Sequence, residues 1–348
     1  MPSYNRLQMH HFMAQLLHPT AEVDASYFPA PQIFWDRLVQ LGSSQLVLPA
    51  IYGALKRKKL IGHAPKDLVS YLQEITDLNQ KRNMAILKQI DFLSKLFNRH
   101  QIDYVFLKGA AMLITKPYDA VNERMVGDID ILVLEKDLFK AQQFLIDEGF
   151  EAVSKNYDFT KNLDSAKHLK RIVHPNFIAA VEIHRKLLDL TLKTPILSSV
   201  ILKQKLQNTN GFYTPSRKHL WQHAILNWQY NDSGAMWNSL AFRTIVDVLY
   251  LEPNDVADRL KKAPKIIKCF YSLLSLYYDN YAAYYPFDKL RYKWQLSFKS
   301  FNKLNKLYFK LHYLLNIGFI RLASKTYRRR VFNHPKLLGQ RILNFWKK

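Results

Sequence analysis

Two aspartates stand two residues apart at the start of an apolar run that continues with Ile-Leu-Val. In a β-strand, side chains at positions i and i+2 point to the same face, so Asp128 and Asp130 project together while Ile129 and Ile131 face the opposite side. Two neighbouring carboxylates repel each other and lose solvation, which a divalent cation can compensate. The pair therefore predicts a site for Mg²⁺ or Mn²⁺, in which substrate phosphates fill the remaining coordination positions.

A later segment repeats this spacing. Glu182 and His184 share one face of a predicted strand, with Val181 and Ile183 opposite, so Glu182 could complete a cluster of three carboxylates. A structural role is the alternative, because an Asp-x-Asp pair at a strand end often caps a loop or faces water. For His184, orienting Glu182 or a core neighbour is a more common role than metal ligation.

The elements around these residues predict a mixed α+β domain. A β-branched and aromatic run at 102–107 predicts a strand, Lys108-Gly109 breaks it, and a short helix is expected at 110–114. The remaining expected elements are strands at 128–134, 150–154, 169–174 and 177–184, and an amphipathic helix at 137–148 that Gly149 ends. The chain has only 10 glycines, which disfavours a glycine-rich phosphate loop.

Both flanks of this domain carry apolar residues at helical spacings of three and four. His223 and Asp247 lie in such patterns, where internal hydrogen bonding is favoured over contact with a nucleoside. The predicted division is a helical N-terminal region at 1–98, the α+β core at 99–214, a helical C-terminal region at 215–288 and a strongly basic helical tail at 289–348.

The core carries a motif resemblance. Leu-Lys-Gly-Ala-Ala at 107–111, followed by Arg-Met-Val-Gly-Asp-Ile-Asp-Ile-Leu-Val at 124–133, resembles the bacterial family of uncharacterised nucleotidyltransferases within the DNA polymerase beta superfamily. Val-Glu-Ile-His at 181–184 is similar to a later acidic-x-His segment of that family. The resemblance covers residues 95–190 and implies a nucleotidyltransferase fold with a mixed-sheet core between helical flanks. The same core also resembles the nucleotidyltransferase toxins of abortive-infection systems.

The resemblance implies catalytic and metal-binding roles for Asp128, Asp130 and Glu182. The two aspartates would hold two metal ions that bridge a nucleoside triphosphate and the acceptor. Glu182 would support the second metal and help to deprotonate the acceptor hydroxyl.

Further positions are implied to bind the nucleotide. Gly109 would let the backbone approach phosphate, while Lys108 and Arg124 would neutralise the triphosphate. His184 joins them as a candidate cofactor-binding residue. Arg124 could instead pair with a neighbouring acidic side chain, and Lys108 could simply be solvated. Ala110 stands where the usual turn of the superfamily carries a second glycine or a serine.

The leading hypothesis is a metal-dependent nucleotidyltransferase that moves a nucleoside monophosphate from an NTP, such as ATP, to an unidentified acceptor hydroxyl. One alternative is a catalytically weak nucleotide- or anion-binding protein of the same fold. Another is a nucleotidyltransferase toxin acting on RNA. Three carboxylates together favour an enzyme, because a pure binding protein has no reason to bury them side by side.

The positive charge of the chain is concentrated at its end. Residues 289–348 hold sixteen of the 51 Lys and Arg and none of the 28 Asp and Glu. Removing these sixteen from the net charge of +23 leaves +7 for the preceding residues. Apolar residues at helical spacing favour an anionic membrane surface as the partner of this tail, ahead of nucleic acid. A helix that packs on the body with a solvated basic face, and so has no such partner, is the first alternative to both.

The cysteine content and the hydropathy of the chain indicate its cellular compartment. Cys269 is the single cysteine, so an intramolecular disulfide and a Cys-based zinc site are excluded. Residues 1–18 lack the continuous apolar segment of a signal peptide, and no uncharged apolar run approaches the roughly 20 residues that span a bilayer. These features predict a cytoplasmic protein that the tail could hold at the inner face of the membrane.

Overall fold

The computed structural model describes residues 5–153, 167–188, 196–298, 300–308, 310–311 and 315. The N-terminal apolar spacing forms helices α1 (Arg6–Leu17), α2 (Gln32–Ser44), α3 (Leu48–Arg57) and α4 (Lys66–Arg99). Along α4, apolar residues three and four apart are fully buried, among them Ile86, Ile90, Leu93 and Phe97. The expected helical N-terminal flank is therefore confirmed.

Within the described residues, five strands form one mixed sheet in the order β1-β2-β5-β4-β3. Their bounds are β1 Tyr104–Leu107, β2 Asp128–Val133, β3 Glu151–Ala152, β4 Ile172–Val173 and β5 Ala180–His184. β2 pairs antiparallel with β1 and parallel with β5, while β4 pairs antiparallel with both β5 and β3. The parallel pair needs a crossover connection, which includes α6 (Leu138–Asp147). The predicted α+β fold with a mixed-sheet core is confirmed.

Side-chain alternation divides the strand residues between two hydrophobic clusters. On one face, Phe106, Ile129 and Ile131 pack with apolar residues of α4 and α6. On the other face, Leu107 and Leu132 pack with helices of the N- and C-terminal regions. Because Asp128 and Asp130 alternate with the first set, they lie on the face that the flanking helices cover. Helix α5 (Lys108–Thr115) follows β1 directly and packs against β1 and β2.

The C-terminal helices complete the second cluster. They are α7 (Ser198–Lys203), α8 (Arg217–Leu226), α9 (Gly234–Trp237), α10 (Phe242–Leu251), α11 (Val256–Lys262), α12 (Lys265–Leu274) and α13 (Pro286–Ser297). A short antiparallel pair, β6 (Leu206–Gln207) and β7 (Tyr213–Thr214), lies between α7 and α8 and was not predicted. Helix α13 runs across the predicted boundary at 288–289 and buries Tyr292 and Leu296. The first part of the basic tail is therefore part of the folded body.

Residues 300–308 are also helical. They expose apolar side chains at helical spacing, with Leu304 68%, Leu307 47% and Tyr308 57% accessible to solvent. The rest of the predicted tail from residue 316 onward, including the arginines at 328–330, lies outside the described residues. In the part of the chain that is described, no helix combines the length and apolar character needed to cross a membrane.

Candidate active site

The carboxylate of Asp130 is the centre of a buried polar cluster. Lys108 Nζ lies 2.6 Å and His184 Nε2 lies 2.8 Å from the same oxygen, Oδ1. Asp130 is 1% exposed, and burial opposes its ionisation. The charge of Lys108 and the hydrogen bond from His184 outweigh burial and hold the pKa of Asp130 well below its usual range. Ionisation of the buried Asp130 carboxylate is therefore favoured.

Strand register brings the second acid to Asp130. The parallel pairing of β2 with β5 places Glu182 directly opposite Asp130. Ligand atoms of Asp130, Glu182 and His184 lie within 4.8 Å of one another, so these side chains form a group that could hold a metal ion. Burial disfavours the charge on Glu182, but the neighbouring His184 and His168 rings lower its pKa to about 2. The charge of Glu182 is available at any physiological pH.

Asp128 completes the carboxylate cluster, by which we mean Asp128, Asp130 and Glu182. Arg171 links its two outer members, since Nη2 lies 2.9 Å from Asp128 Oδ2 and 2.9 Å from Glu182 Oε1. Burial and then the charges of Asp130 and Glu182 raise the pKa of Asp128. The sequence carried no signal for Arg171, because only the antiparallel pairing of β4 with β5 puts it beside Glu182.

The donor set of the carboxylate cluster fits a hard divalent cation. Carboxylate oxygens are the ligands that Mg²⁺ and Mn²⁺ prefer in proteins. The guanidinium of Arg171 bridges Asp128 and Glu182, and half of that side chain is exposed. A positive charge thus already stabilises the two acids at the open side of the cluster, where a metal ion could approach them.

The turn from β1 into α5 positions Lys108. Lys108 has φ +48°, a left-handed conformation that residues other than glycine adopt rarely. The turn is thus made by the lysine, whose Nζ reaches Asp130. Gly109 instead allows its backbone to pack closely against the side chain of Val126, because a Cβ at this position would lie 3.0 Å from Val126 Cγ1. The proposed approach of the Gly109 backbone to phosphate stays a prediction.

Arg124 is engaged in a separate network. Its Nε and Nη2 donate to the two carboxylate oxygens of Asp247 at 2.7 and 2.8 Å, and the Tyr118 hydroxyl donates to the same carboxylate. We call these residues the Asp247 clamp. The internal hydrogen bonding expected for Asp247 is confirmed. In the structure the guanidinium of Arg124 binds Asp247. The contact of Arg124 with a triphosphate is not observed and stays a prediction.

The loop that enters β2 is fixed from α4 as well. Asn83 Nδ2 donates to the carbonyl oxygens of Val121 and Arg124, at 2.7 and 2.8 Å. Arg82 donates to the carbonyl oxygens of Val126 and Gly127, both at 3.0 Å. Buried backbone carbonyls need such partners, so these side chains hold the loop immediately before Asp128 in one conformation.

The C-terminal helical region adds titratable groups near the carboxylate cluster. His223 on α8 is buried, and its Nε2 has no hydrogen-bond partner in the described structure. Burial, followed by the charges of Lys108 and His184, lowers the pKa of His223 to about 3, so the ring is neutral. Burial also raises the pKa of Asp232, which interacts with Lys108. Only the packing of α8 and of the residues that follow it, 227–232, reveals these groups.

The structure brings together Lys108, Asp128, Asp130, Glu182 and His184 in one cluster. A family model described as an uncharacterised nucleotidyltransferase matches residues 31–258, which include this cluster and the Asp247 clamp. No curated protein matches the chain.

Proposed function

The chain belongs to the family of uncharacterised nucleotidyltransferases, and we propose that it moves a nucleoside monophosphate from an NTP to an acceptor hydroxyl in a metal-dependent reaction. One observation carries this proposal. Asp130 and Glu182 are register partners on parallel strands, and Asp128 stands two residues from Asp130 on the same face. Two-metal catalysis of phosphoryl transfer needs carboxylates grouped in this way.

In this proposal, Asp128, Asp130 and Glu182 hold Mg²⁺ or Mn²⁺. The bound cation supplies Lewis acidity and charge neutralisation at the phosphate that is attacked. His184 orients Asp130 through Nε2, and Lys108 neutralises the carboxylate in the free protein. When the triphosphate enters, Lys108 offers its remaining ammonium hydrogens to phosphate oxygens.

The pKa of Glu182 refines its role. A carboxylate with a pKa of about 2 is a poor proton acceptor at neutral pH, but it binds a cation without competition from protons. We therefore assign Glu182 to metal binding ahead of deprotonation of the acceptor.

The test is transfer of label. The full-length protein is incubated with each labelled NTP and Mg²⁺ or Mn²⁺ in cell extract, and any labelled molecule is identified, whether small molecule, sugar, peptide or RNA. We expect label to appear with wild type, to vanish with a chelator, and to vanish with Asp130→Asn. A protein that only binds nucleotide would retain the NTP and release it unchanged. Equal labelling by wild type and Asp130→Asn would refute the proposal.

A second proposal concerns the basic tail, which we infer contacts an anionic membrane surface. The support is the exposed apolar stripe of Leu304, Leu307 and Tyr308, with Lys303 and Lys306 interspersed. An apolar face flanked by lysines is the arrangement that lies in a lipid headgroup region, where each basic residue contributes about 1 kcal/mol.

This tail proposal is tested with vesicles. The full-length chain and a version ending at Phe298, which keeps α13, are mixed with anionic vesicles, neutral vesicles and RNA. We expect retention of the full-length protein on anionic vesicles alone, weakening with salt as the Debye length falls from about 10 Å at 0.1 M to about 3 Å at 1 M. Binding to RNA with a linear dependence of log affinity on log salt would instead assign the tail to nucleic acid.

A further inference from the structure

Arg243, on the first turn of α10, differs from the other arginines around the carboxylate cluster. Arg124 and Arg171 each bind carboxylates. Arg243 makes no hydrogen bond and no ion pair anywhere in the described residues, and its side chain is partly exposed to solvent. A partly exposed guanidinium without a protein partner keeps its donors open to a ligand.

The position of Arg243 follows from the clamp. Arg243 and Asp247 are four residues apart on α10 and therefore share one face of that helix. Asp247 binds Arg124, four residues before Asp128, so this face of α10 is anchored to the entry of β2. The charge of Arg243 interacts with those of Asp247 and Asp232 and, within the carboxylate cluster, with that of Asp128.

The acids near Arg243 are engaged elsewhere. Both oxygens of Asp247 accept hydrogen bonds from Arg124, and Tyr118 donates to one of them. Asp232 accepts a hydrogen bond from Asn227. Neither acid lies within ion-pair distance of Arg243 among the described residues. The guanidinium thus keeps its five donors available beside a site that is proposed to take a polyanion.

We propose that Arg243 binds the phosphates of the incoming nucleoside triphosphate together with Lys108. This inference rests on the proposed function and names a phosphate-binding residue outside the sheet core. A guanidinium binds phosphate oxygens bidentately, so Arg243 would fix the orientation of the phosphate chain, while Lys108 contributes a point charge. Burial and the charge of Arg124 lower the pKa of Arg243, which agrees with a cation that lacks its counter-ion.

The experiment measures binding of two probes by calorimetry, inorganic tripolyphosphate and ATP, each with Mg²⁺. The proteins are full-length wild type, Arg243→Gln, Arg243→Lys and the control Arg259→Gln. Arg259 lies on α11 in an exposed pair with Asp255. We expect Arg243→Gln to bind tripolyphosphate ten- to hundredfold more weakly, Arg243→Lys to recover part of the loss, and Arg259→Gln to match wild type.

Thermal unfolding separates lost binding from lost folding. Because Arg243 has no partner to lose, Arg243→Gln should unfold at the same temperature as wild type or higher. Equal tripolyphosphate affinity of Arg243→Gln and wild type, or no affinity in either, overturns the role of Arg243. The label-transfer assay judges the proposed function independently, since wild type can transfer nucleotide whether or not Arg243 contributes.

Discussion

Two groups of buried charge lie at the two ends of the segment 124–130, and they are built in opposite ways. In the Asp247 clamp, the guanidinium of Arg124 meets both oxygens of one carboxylate, and the two side chains are 11% and 12% exposed. In the carboxylate cluster, three acids gather around one partly exposed lysine and one half-exposed arginine. In the Asp247 clamp the positive and negative charges neutralise each other, whereas the carboxylate cluster has more negative than positive side chains.

This difference separates structure from function. A satisfied buried pair holds two elements together and offers nothing to a ligand, so the clamp ties α10 to the loop before β2. Excess charge of one sign is costly in the free protein and becomes favourable when a cation arrives. Arg243 lies one helical turn from Asp247 on α10. It carries a positive charge that no acidic side chain among the described residues pairs with, so the imbalance there has the opposite sign.

The largest expected effect is on catalysis by the carboxylate cluster. Asp130→Asn removes a metal ligand and the charge that Lys108 faces, so transfer should fall about 10³-fold or more, given several kcal/mol of lost transition-state stabilisation. Initial rates of label transfer measure the loss. Asp91→Asn, which breaks only an exposed pair with Lys95, serves as control and should keep full activity. A loss below tenfold would remove Asp130 from the mechanism.

The next effect is on stability and concerns the clamp. Asp247→Ala leaves the Arg124 guanidinium buried without its partner, which should lower the free energy of unfolding by about 3–5 kcal/mol. Urea unfolding measures the change. Asp255→Ala removes the acid of the exposed pair with Arg259 and should cost no more than about 1 kcal/mol. If the two variants lose equal stability, the clamp does not join α10 to the core as described.

Acid unfolding sharpens the account of Glu182. Its pKa is about 2 in the folded protein against an ordinary 4.5, so its stabilising contribution is complete above pH 4.5 and disappears as the pH falls toward 2. Between pH 5 and pH 3, wild type should therefore lose on the order of 1 kcal/mol more than Glu182→Gln. Urea unfolding of both proteins at the two pH values gives the comparison, and parallel losses would contradict a depressed pKa.

The smallest effect on stability is expected at Asp128. Its pKa is raised, so its ionised form is disfavoured in the free protein, and its contact with Arg171 is about half exposed. Asp128→Asn should therefore change the free energy of unfolding by less than about 1 kcal/mol, in the stabilising direction, while abolishing transfer. A marked loss of stability would mean that Arg171 depends on Asp128 for its position.

The sequence alone determined the local parts of this protein. Alternation in a strand put Asp128 with Asp130, and Glu182 with His184, because the side-chain period of two is a property of a few consecutive residues. Helical spacing likewise predicted the flanks that surround the sheet. The motif around Lys108 and Asp128 was enough to indicate the family, and residues 31–258 match its model.

Only the tertiary structure decided which of these parts meet. The parallel register sets Glu182 opposite Asp130, and Arg124 finds its partner 123 residues away in Asp247. Arg171, His168 and Arg243 carry no local pattern, because their positions depend on strand register and on the packing of α10 against the core. Register and helix packing are fixed by burying apolar surface over the whole chain, so no short segment encodes them.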